Sequence, residues 1–195
     1  MHERKFNTRR AIALGLSAGA AGALIGGTAR AAGDETYSEP EIVDAAERFF
    51  GAGAEGVAAV VSHVFAEQGR PNGYIEGEEG SGAIGVGLRY GVGQLHLKWM
   101  PGAQRVYWQG PSIGFDTGGN ASKVFTLVYN MRDPDQIYQR FPGVEGSAYF
   151  VGGVGVNYQR ADDITLAPMR VGVGFRLGAN IGYLAYSRRR RINPF

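Results

Sequence analysis

The chain has 195 residues with 20 basic and 18 acidic side chains, and five of the basic residues but only one acidic residue lie within the first 31 positions. Without that segment the balance is 15 basic to 17 acidic side chains, so the composition gives no reason to expect a general affinity for nucleic acid. Cysteine does not occur, which excludes disulfides, thiolate nucleophiles and cysteine-based metal sites.

The first 31 residues have the three parts of a secretory signal. Arg9 and Arg10 follow Thr8, residues 11–27 form a mildly apolar run, and Ala31 ends a small-x-small cleavage site. The arginine pair favours a twin-arginine signal, which exports folded proteins, over an ordinary export signal or a retained membrane anchor. We predict that residues 1–31 are cleaved after Ala31 and that residues 32–195 form one domain outside the cytoplasm, with no membrane-spanning segment.

Two helices are predicted at the start of this domain, over about residues 40–68. Ser38 and Glu41 have the spacing of a capping box, and the apolar residues that follow recur on one helical face. A second helix over residues 54–68 places valines at intervals of three and four. Each helix therefore has an apolar stripe that another part of the chain must cover.

From Tyr74 onward the apolar pattern has a period of two, and glycines recur at alternate positions. Frequent glycine in strands indicates sharp curvature or a close neighbour, so we predict a curled antiparallel sheet or small β-barrel in a mainly β (α+β) fold. We expect the two helices to cover the bare glycine faces. One helical interruption is predicted over residues 133–141. The acidic run at Glu76, Glu78 and Glu79 is expected to face solvent, with a cation site as the alternative.

Short catalytic motifs in the chain lack the context that they need. Residues 110–114 match the G-x-S-x-G nucleophile elbow, but strand-like sequence follows and no histidine occurs after His96. A hydrolase would instead need paired carboxylates, such as Asp116 with Asp162 or Glu145, to converge in a cleft. His63 and His96 have no carboxylate at a ligand-like spacing, so no metal or other cofactor is expected.

Residues 107–120 combine aromatic, turn-forming and hydrogen-bonding side chains in a short stretch. Together with aromatic residues of later strands they could line an apolar cleft with polar mouths. The alternatives are that the aromatic rings fill the core and that Asp116 and Asn120 cap tight turns. The candidate ligand-binding residues are Tyr107, Trp108, Phe115, Asp116, Asn120, Tyr149 and Tyr183.

Four consecutive arginines lie close to the C-terminus: Arg188, Arg189, Arg190 and Arg191. They form either a solvated tail or a contact surface for the phosphate groups of anionic envelope lipids. The terminal Phe195 is typical of outer-membrane barrels, but Pro194 and the arginines occupy positions that would need to be apolar and lipid-facing.

Several long blocks resemble the periplasmic envelope integrity protein A family, a domain of unknown function. They are YWQGPSIGFD at 107–116, GGNASKVF at 118–125, FPGVEGSAYFVGGVGVNY at 141–158 and INPF at 192–195. The resemblance covers residues 54–195 and implies a soluble periplasmic β-rich protein with N-terminal helices that supports envelope integrity under stress. The glycine-spaced strands are also similar to those of SYLF lipid-binding domains, which implies a lipid-like partner. No catalytic residues follow from either resemblance.

We therefore predict a non-enzymatic periplasmic protein, expected to be a monomer, that binds an envelope lipid or glycolipid. The alternative is a structural partner of another envelope protein, and a hydrolase acting on envelope polymer or lipid is the third class.

Overall fold

A computed structural model describes residues 35–51, 55–116, 122–171 and 182–191, with only the backbone described for residues 81–87 and 112–116. The predicted export signal with Ala31 lies outside the described residues, as do Asn120 and Phe195. Within the described part of the chain, no helix is long and apolar enough to cross a membrane.

The two predicted helices are present as α1 (Glu39–Phe50) and α2 (Val57–Gln68). The capping box is confirmed, since the Glu41 carboxylate accepts hydrogen bonds from the backbone N and the hydroxyl of Ser38 at 2.8 and 2.7 Å. The second helix begins at Val57, three residues later than predicted. Gly56 precedes it and packs so closely against the Val151 carbonyl that no side chain would fit.

Among the described residues, nine strands form one antiparallel sheet in the order β4-β9-β2-β1-β3-β8-β6-β5, with β7 paired to β8. They are β1 (Gly73–Leu97), β2 (Gln104–Asp116), β3 (Ser122–Tyr129), β4 (Arg140–Pro142), β5 (Tyr149–Val151), β6 (Val154–Val156), β7 (Gln159–Ala161), β8 (Ile164–Val171) and β9 (Tyr183–Ser187). The first part of β1 pairs with β3 and the second part pairs with β2.

The 25-residue strand β1 doubles back on itself. The backbone N of Lys98 donates to the Asn72 carbonyl at 3.0 Å, and Gly77 lies against the backbone of Val92 and Gly93. The two ends of β1 therefore lie close together, so that the two halves of this one strand are neighbours in the fold.

The sheet curls until the segment that follows β4 approaches β7. A single bridge joins Gly143, after β4, to Gln159 of β7, and the Val144 N donates to the Tyr158 carbonyl at 2.9 Å. This confirms the predicted fold of a curled antiparallel sheet with two N-terminal helices.

Two hydrophobic cores share the β3–β8 wall. The inner core lies within the curl and includes Leu95, Trp108, Val128, Phe141, Leu166 and Tyr186. The outer core lies between the helices and the other face of the wall and includes Ile42, Val60, Val64, Phe125, Leu127 and Met169. Because β3 is covered on both faces, its residues alternate between the two cores.

The expectation that the helices cover the bare glycine faces is wrong for Gly91 and Gly93 of β1, which lie against the Trp108 ring and the Glu76 backbone. Trp108 occupies part of that space instead, because a methyl group on Gly77 would come within 2.5 Å of its ring and one on Gly91 would overlap it. The helices pack on the β3, β6 and β8 side, where bulky side chains offer them a larger apolar surface.

The helix predicted over residues 133–141 is also wrong. Only a single 3-10 turn, Pro134–Ile137, forms after Asp133, whose carboxylate accepts from the Asp135 N at 2.8 Å. The chain then joins the sheet at Arg140, because β9 offers a pairing edge from Ala185 to Tyr183.

Candidate functional site: an arginine-lined cavity

A cavity of about 550 Å³ lies where β4 and β9 meet. Its described lining consists of Gln109, Tyr138, Gln139, Arg140, Ala185, Tyr186, Ser187, Arg188, Arg189 and Arg191. Four of these side chains are arginines and none of the described lining residues is acidic. The volume lies within the range of small-molecule sites.

Strand pairing brings these residues together from distant parts of the sequence. Arg140 lies opposite Ala185 in the β4–β9 ladder, and the Tyr186 N donates to the Gln139 carbonyl at 2.9 Å just before β4 begins. The Ser187 hydroxyl donates to the Arg189 carbonyl at 2.8 Å. This bond turns the chain after β9, so the arginine run passes along the cavity.

Two of the guanidinium groups lie over tyrosine rings. The guanidinium carbon of Arg188 is 4.6 Å from the centre of the Tyr138 ring, and that of Arg140 is 4.7 Å from the centre of the Tyr183 ring. Tyr138 is itself held by a 2.6 Å hydrogen bond from the Gln104 side chain. Stacking on an aromatic face restricts a guanidinium while leaving its N–H edges available to donate hydrogen bonds to an anion.

One acidic side chain approaches this cluster from outside the lining. A carboxylate oxygen of Asp135, in the 3-10 turn, lies 2.5 Å from a terminal nitrogen of Arg188. The four lining arginines therefore have one described carboxylate against them. An arrangement with this charge can bind an anion.

A second polar cluster lies within the curl of the sheet, centred on Glu79. This carboxylate is 6% exposed and accepts from Arg170 at 2.5 and 3.2 Å and from the Trp108 indole N–H at 3.2 Å. Arg89 lies 3.6 Å from the same carboxylate. The Asn157 amide oxygen accepts from Arg170 at 3.2 Å, which further fixes the guanidinium.

Burial by itself would raise the pKa of Glu79. The positive charges of Arg170 and Arg89 and the hydrogen bonds from Arg170 and Trp108 act against burial and hold the pKa at about 2, below its ordinary value. Glu79 is therefore ionised at neutral pH. The expectation that the acidic run at 76–79 faces solvent is wrong for this residue.

Tyr186 connects the two polar regions. It lines the cavity, and its ring lies 5.7 Å from those of Trp108 and Phe141 in the inner core. Burial raises the pKa of its hydroxyl, which shares a hydrogen bond with Thr126. The wall of the cavity is thus continuous with the packed interior of the sheet.

The structure separates the aromatic residues that the sequence proposed as one ligand site. Trp108 is 3% exposed in the inner core, whereas Tyr107 precedes it on β2 and is half-buried. Tyr149 stacks on His63 of α2 with ring centres 3.7 Å apart, and Tyr183 lies under Arg140 beside the cavity. Only the backbone of Phe115 and Asp116 is described, at the end of β2.

The arginine run is divided by the structure. Arg188, Arg189 and Arg191 line the cavity, whereas Arg190 does not. The sequence does not identify Arg140 and Tyr138 as site residues, because its local pattern predicts a helix over residues 133–141. Nothing in the local sequence indicates that β9 brings them beside the arginine run.

The residues proposed for catalytic or metal chemistry are not among the described lining residues of the cavity. The G-x-S-x-G segment is part of β2, which continues as a strand to Asp116. Asp162 and Glu145 are exposed and are not among the described lining residues of the cavity. No group of three metal-ligating side chains occurs among the described residues.

The fold and its edge cavity define a β-barrel-like α+β protein, and comparison with known proteins is consistent with that class. The chain belongs to the envelope integrity protein A family, whose model matches residues 35–195. It is similar to a crystal structure of a beta-barrel-like, uncharacterized protein from Brucella abortus, with 49% sequence identity and a TM-score of 0.75. That match covers 83% of this chain and 99% of the other. The comparison with curated proteins returned no match.

Proposed function

We propose that this protein supports cell-envelope integrity as a non-catalytic binder of an anionic, amphipathic envelope component, a lipid or glycolipid. The family supports the envelope role. The observation that carries the binding role is the cavity with four lining arginines and no described acidic lining residue. The predicted export signal supports a periplasmic location.

The composition of the cavity indicates the kind of ligand. All four of its cationic side chains are arginine, whose planar guanidinium matches the oxygens of carboxylates and phosphates in a bidentate manner. Tyr138, Tyr186 and Ala185 add apolar surface beside these charges. A headgroup with an anionic group and a less polar portion can contact the arginines with the first and the apolar surface with the second.

Vesicle binding tests this function with the chain from residue 32 onward. We expect it to co-sediment with phosphatidylglycerol vesicles and not with phosphatidylcholine vesicles, and we expect the bound fraction to fall as salt rises. The variant R140Q/R188Q/R189Q/R191Q should bind at least tenfold more weakly, because each basic residue near an anionic surface contributes about 1 kcal/mol.

The matched control is R48Q/R105Q/R132Q/R160Q, which makes the same change in net charge at exposed arginines outside the described cavity lining. It should retain most of the binding. Equal losses in the two variants would show that net charge, and not the cavity, attracts the vesicles. Absence of binding by the wild-type protein to anionic vesicles would overturn the proposed function.

A structural partner role is the second candidate, and one observation favours it. Phe150 is 43% exposed on β5, which ends the strand order of the sheet. An exposed aromatic residue on an edge strand is a suitable contact for another protein. If this role is the principal one, F150D should impair envelope integrity in cells while vesicle binding by the purified variant stays unchanged.

A further inference from the structure

The ion pair between Arg188 and Asp135 occupies part of the cation cluster at the cavity. The two side chains are 62% and 56% exposed, so both are accessible to a solute that enters the cavity. Asp135 belongs to the 3-10 turn and reaches Arg188 across the β4–β9 edge. A carboxylate in this position accepts hydrogen bonds from the guanidinium N–H groups that would otherwise be available to an anionic ligand.

Two arginines of the cluster, Arg140 and Arg188, are stacked on tyrosine rings. Tyr138 supports Arg188 and Tyr183 supports Arg140, so each guanidinium is restricted before any ligand binds. Restriction of this kind lowers the entropy cost of forming a hydrogen-bonded pair with a ligand. Arg189 and Arg191 add positive charge to the same lining.

The charge of a competing ligand decides whether it can displace Asp135. A ligand carboxylate would exchange one singly charged group for another and gain little. A phosphate monoester has a charge of about −1.5 to −2 near pH 7 and three acceptor oxygens, so it gains both charge and hydrogen bonds in the exchange.

We propose that the cavity binds a phosphate monoester group between Arg140 and Arg188, and that Asp135 holds Arg188 until the phosphate displaces it. This inference rests on the proposed function and names the chemical group that the site selects. Asp135 acts as an internal competitor that adds the same free-energy cost to the binding of every anion, so only an anion with enough charge and acceptor oxygens gains enough to replace it. The guanidinium of Arg188 stays ordered in both states because Tyr138 supports it throughout.

Calorimetric titration of the chain from residue 32 onward with inorganic phosphate, pyrophosphate and acetate tests the proposal. We expect pyrophosphate and phosphate to bind and acetate to bind at least tenfold more weakly. The variant D135N should bind phosphate about three- to tenfold more tightly than the wild type, because the competing carboxylate is removed. R188Q should lose most of the binding.

Two controls isolate the local contact. D162N makes the same change in net charge in the exposed turn between β7 and β8, and it should leave phosphate affinity within twofold of the wild type. R190Q removes the arginine of the run that does not line the cavity, and it should reduce affinity much less than R188Q. An equal gain in D135N and D162N would overturn the role of Asp135.

Vesicles distinguish a lipid phosphate from a free one. Stronger co-sedimentation with phosphatidic acid, a monoester, than with phosphatidylglycerol, a diester, identifies a lipid headgroup as the source. Binding of inorganic phosphate without a preference for phosphatidic acid identifies a free phosphate. Equal binding of the two lipids together with no response to D135N would overturn this inference and leave the proposed function standing. Failure of the wild type to bind any anion or vesicle would overturn both.

Discussion

Trp108 explains two of the glycines of β1. Its indole packs against Gly77 and Gly91, and a side chain at either position would overlap the ring. The indole N–H also donates to Glu79, which lies, like Gly77, in the part of β1 that pairs with β3. One large side chain therefore fills the space that the glycines leave and fixes the position of a buried carboxylate.

We expect G91A to destabilise the protein by about 1–3 kcal/mol, because the added methyl group must displace the Trp108 ring from a packed core. Urea denaturation followed by tryptophan fluorescence would measure this change. G80A is the matched control, since Gly80 lies on the same strand with open space around it. Equal effects of the two substitutions would show that strand propensity, and not contact with Trp108, determines the loss.

Glu79 is expected to be the most sensitive single charge in the inner core. E79Q should reduce the free energy of unfolding by about 3 kcal/mol, because it leaves the Arg170 side chain, which is 12% exposed, without its charged partner. E78Q is the control, since Glu78 neighbours it on β1 and is exposed. A loss below 1 kcal/mol in E79Q, measured by the same denaturation, would contradict this prediction.

The low pKa of Glu79 also predicts an acid dependence. Because the pKa is about 2 in the folded protein and about 4.5 when unperturbed, the contribution of ionised Glu79 is complete above about pH 4.5 and is lost as the pH falls toward 2. The difference in unfolding free energy between wild type and E79Q should therefore shrink across that window. A difference that stays constant from pH 6 to pH 2.5 would rule out this assignment.

The helices are attached to the sheet through a small number of polar contacts as well as through the outer core. Glu41 caps α1 through Ser38 and also forms an ion pair with Lys98, which follows β1. The hydrogen bond from Lys98, followed by those from Ser38, lowers the pKa of Glu41 to about 2. The same carboxylate therefore begins a helix and holds that helix to the end of a strand.

We expect E41Q to speed hydrogen exchange at the amides of the first turns of α1, because the substitution weakens the cap and removes the pair with Lys98. E47Q, an exposed position on the same helix, should leave that exchange unchanged. Mass spectrometry of exchanged peptides covering α1 would compare the two variants. Unchanged exchange in E41Q would mean that outer-core packing alone holds the helix.

The elements that the sequence predicted well are those with a strong local period. The spacing of valines identifies α2, and the alternation after Tyr74 identifies the strands. The segment at 133–141 was predicted poorly. Its capping residues form only one 3-10 turn, and the chain then pairs with β9 from Arg140 onward. A pairing between positions more than 40 residues apart leaves no mark in the local pattern.

The burial of the Glu79 carboxylate can be predicted from the sequence, whereas the position of the cavity cannot. Alternate residues of a strand face the same side, so Glu79 shares a face with Ile75 and Gly77, and all three are buried. Glu76 and Glu78 lie on the opposite face of β1. The cavity depends on Arg140 and the arginine run meeting across β4 and β9. Sequence identified the arginines of the run as candidates but offered no means of distinguishing Arg190 from its neighbours.

At the level of the whole molecule, the shared wall should make the described domain unfold in one step. Since β3 and β8 take part in both cores, neither core can lose its packing while the other stays intact. In a W99F variant, urea transitions followed by Trp108 fluorescence and by helical circular dichroism should coincide. Loss of the helical signal at a clearly lower urea concentration would show that the helices form a separate unit.

The same wall limits how the sequence of this family can change. Positions 124–129 and 164–169 are buried without interruption, so neither stretch contains a solvent-facing residue that can vary freely. A substitution on one face must preserve volume against the helices, and one on the next residue must preserve volume within the curl. Divergence among relatives is therefore expected to accumulate at exposed positions of the turns and the arginine-bearing segment, where changes can alter the proposed anion site without repacking either core.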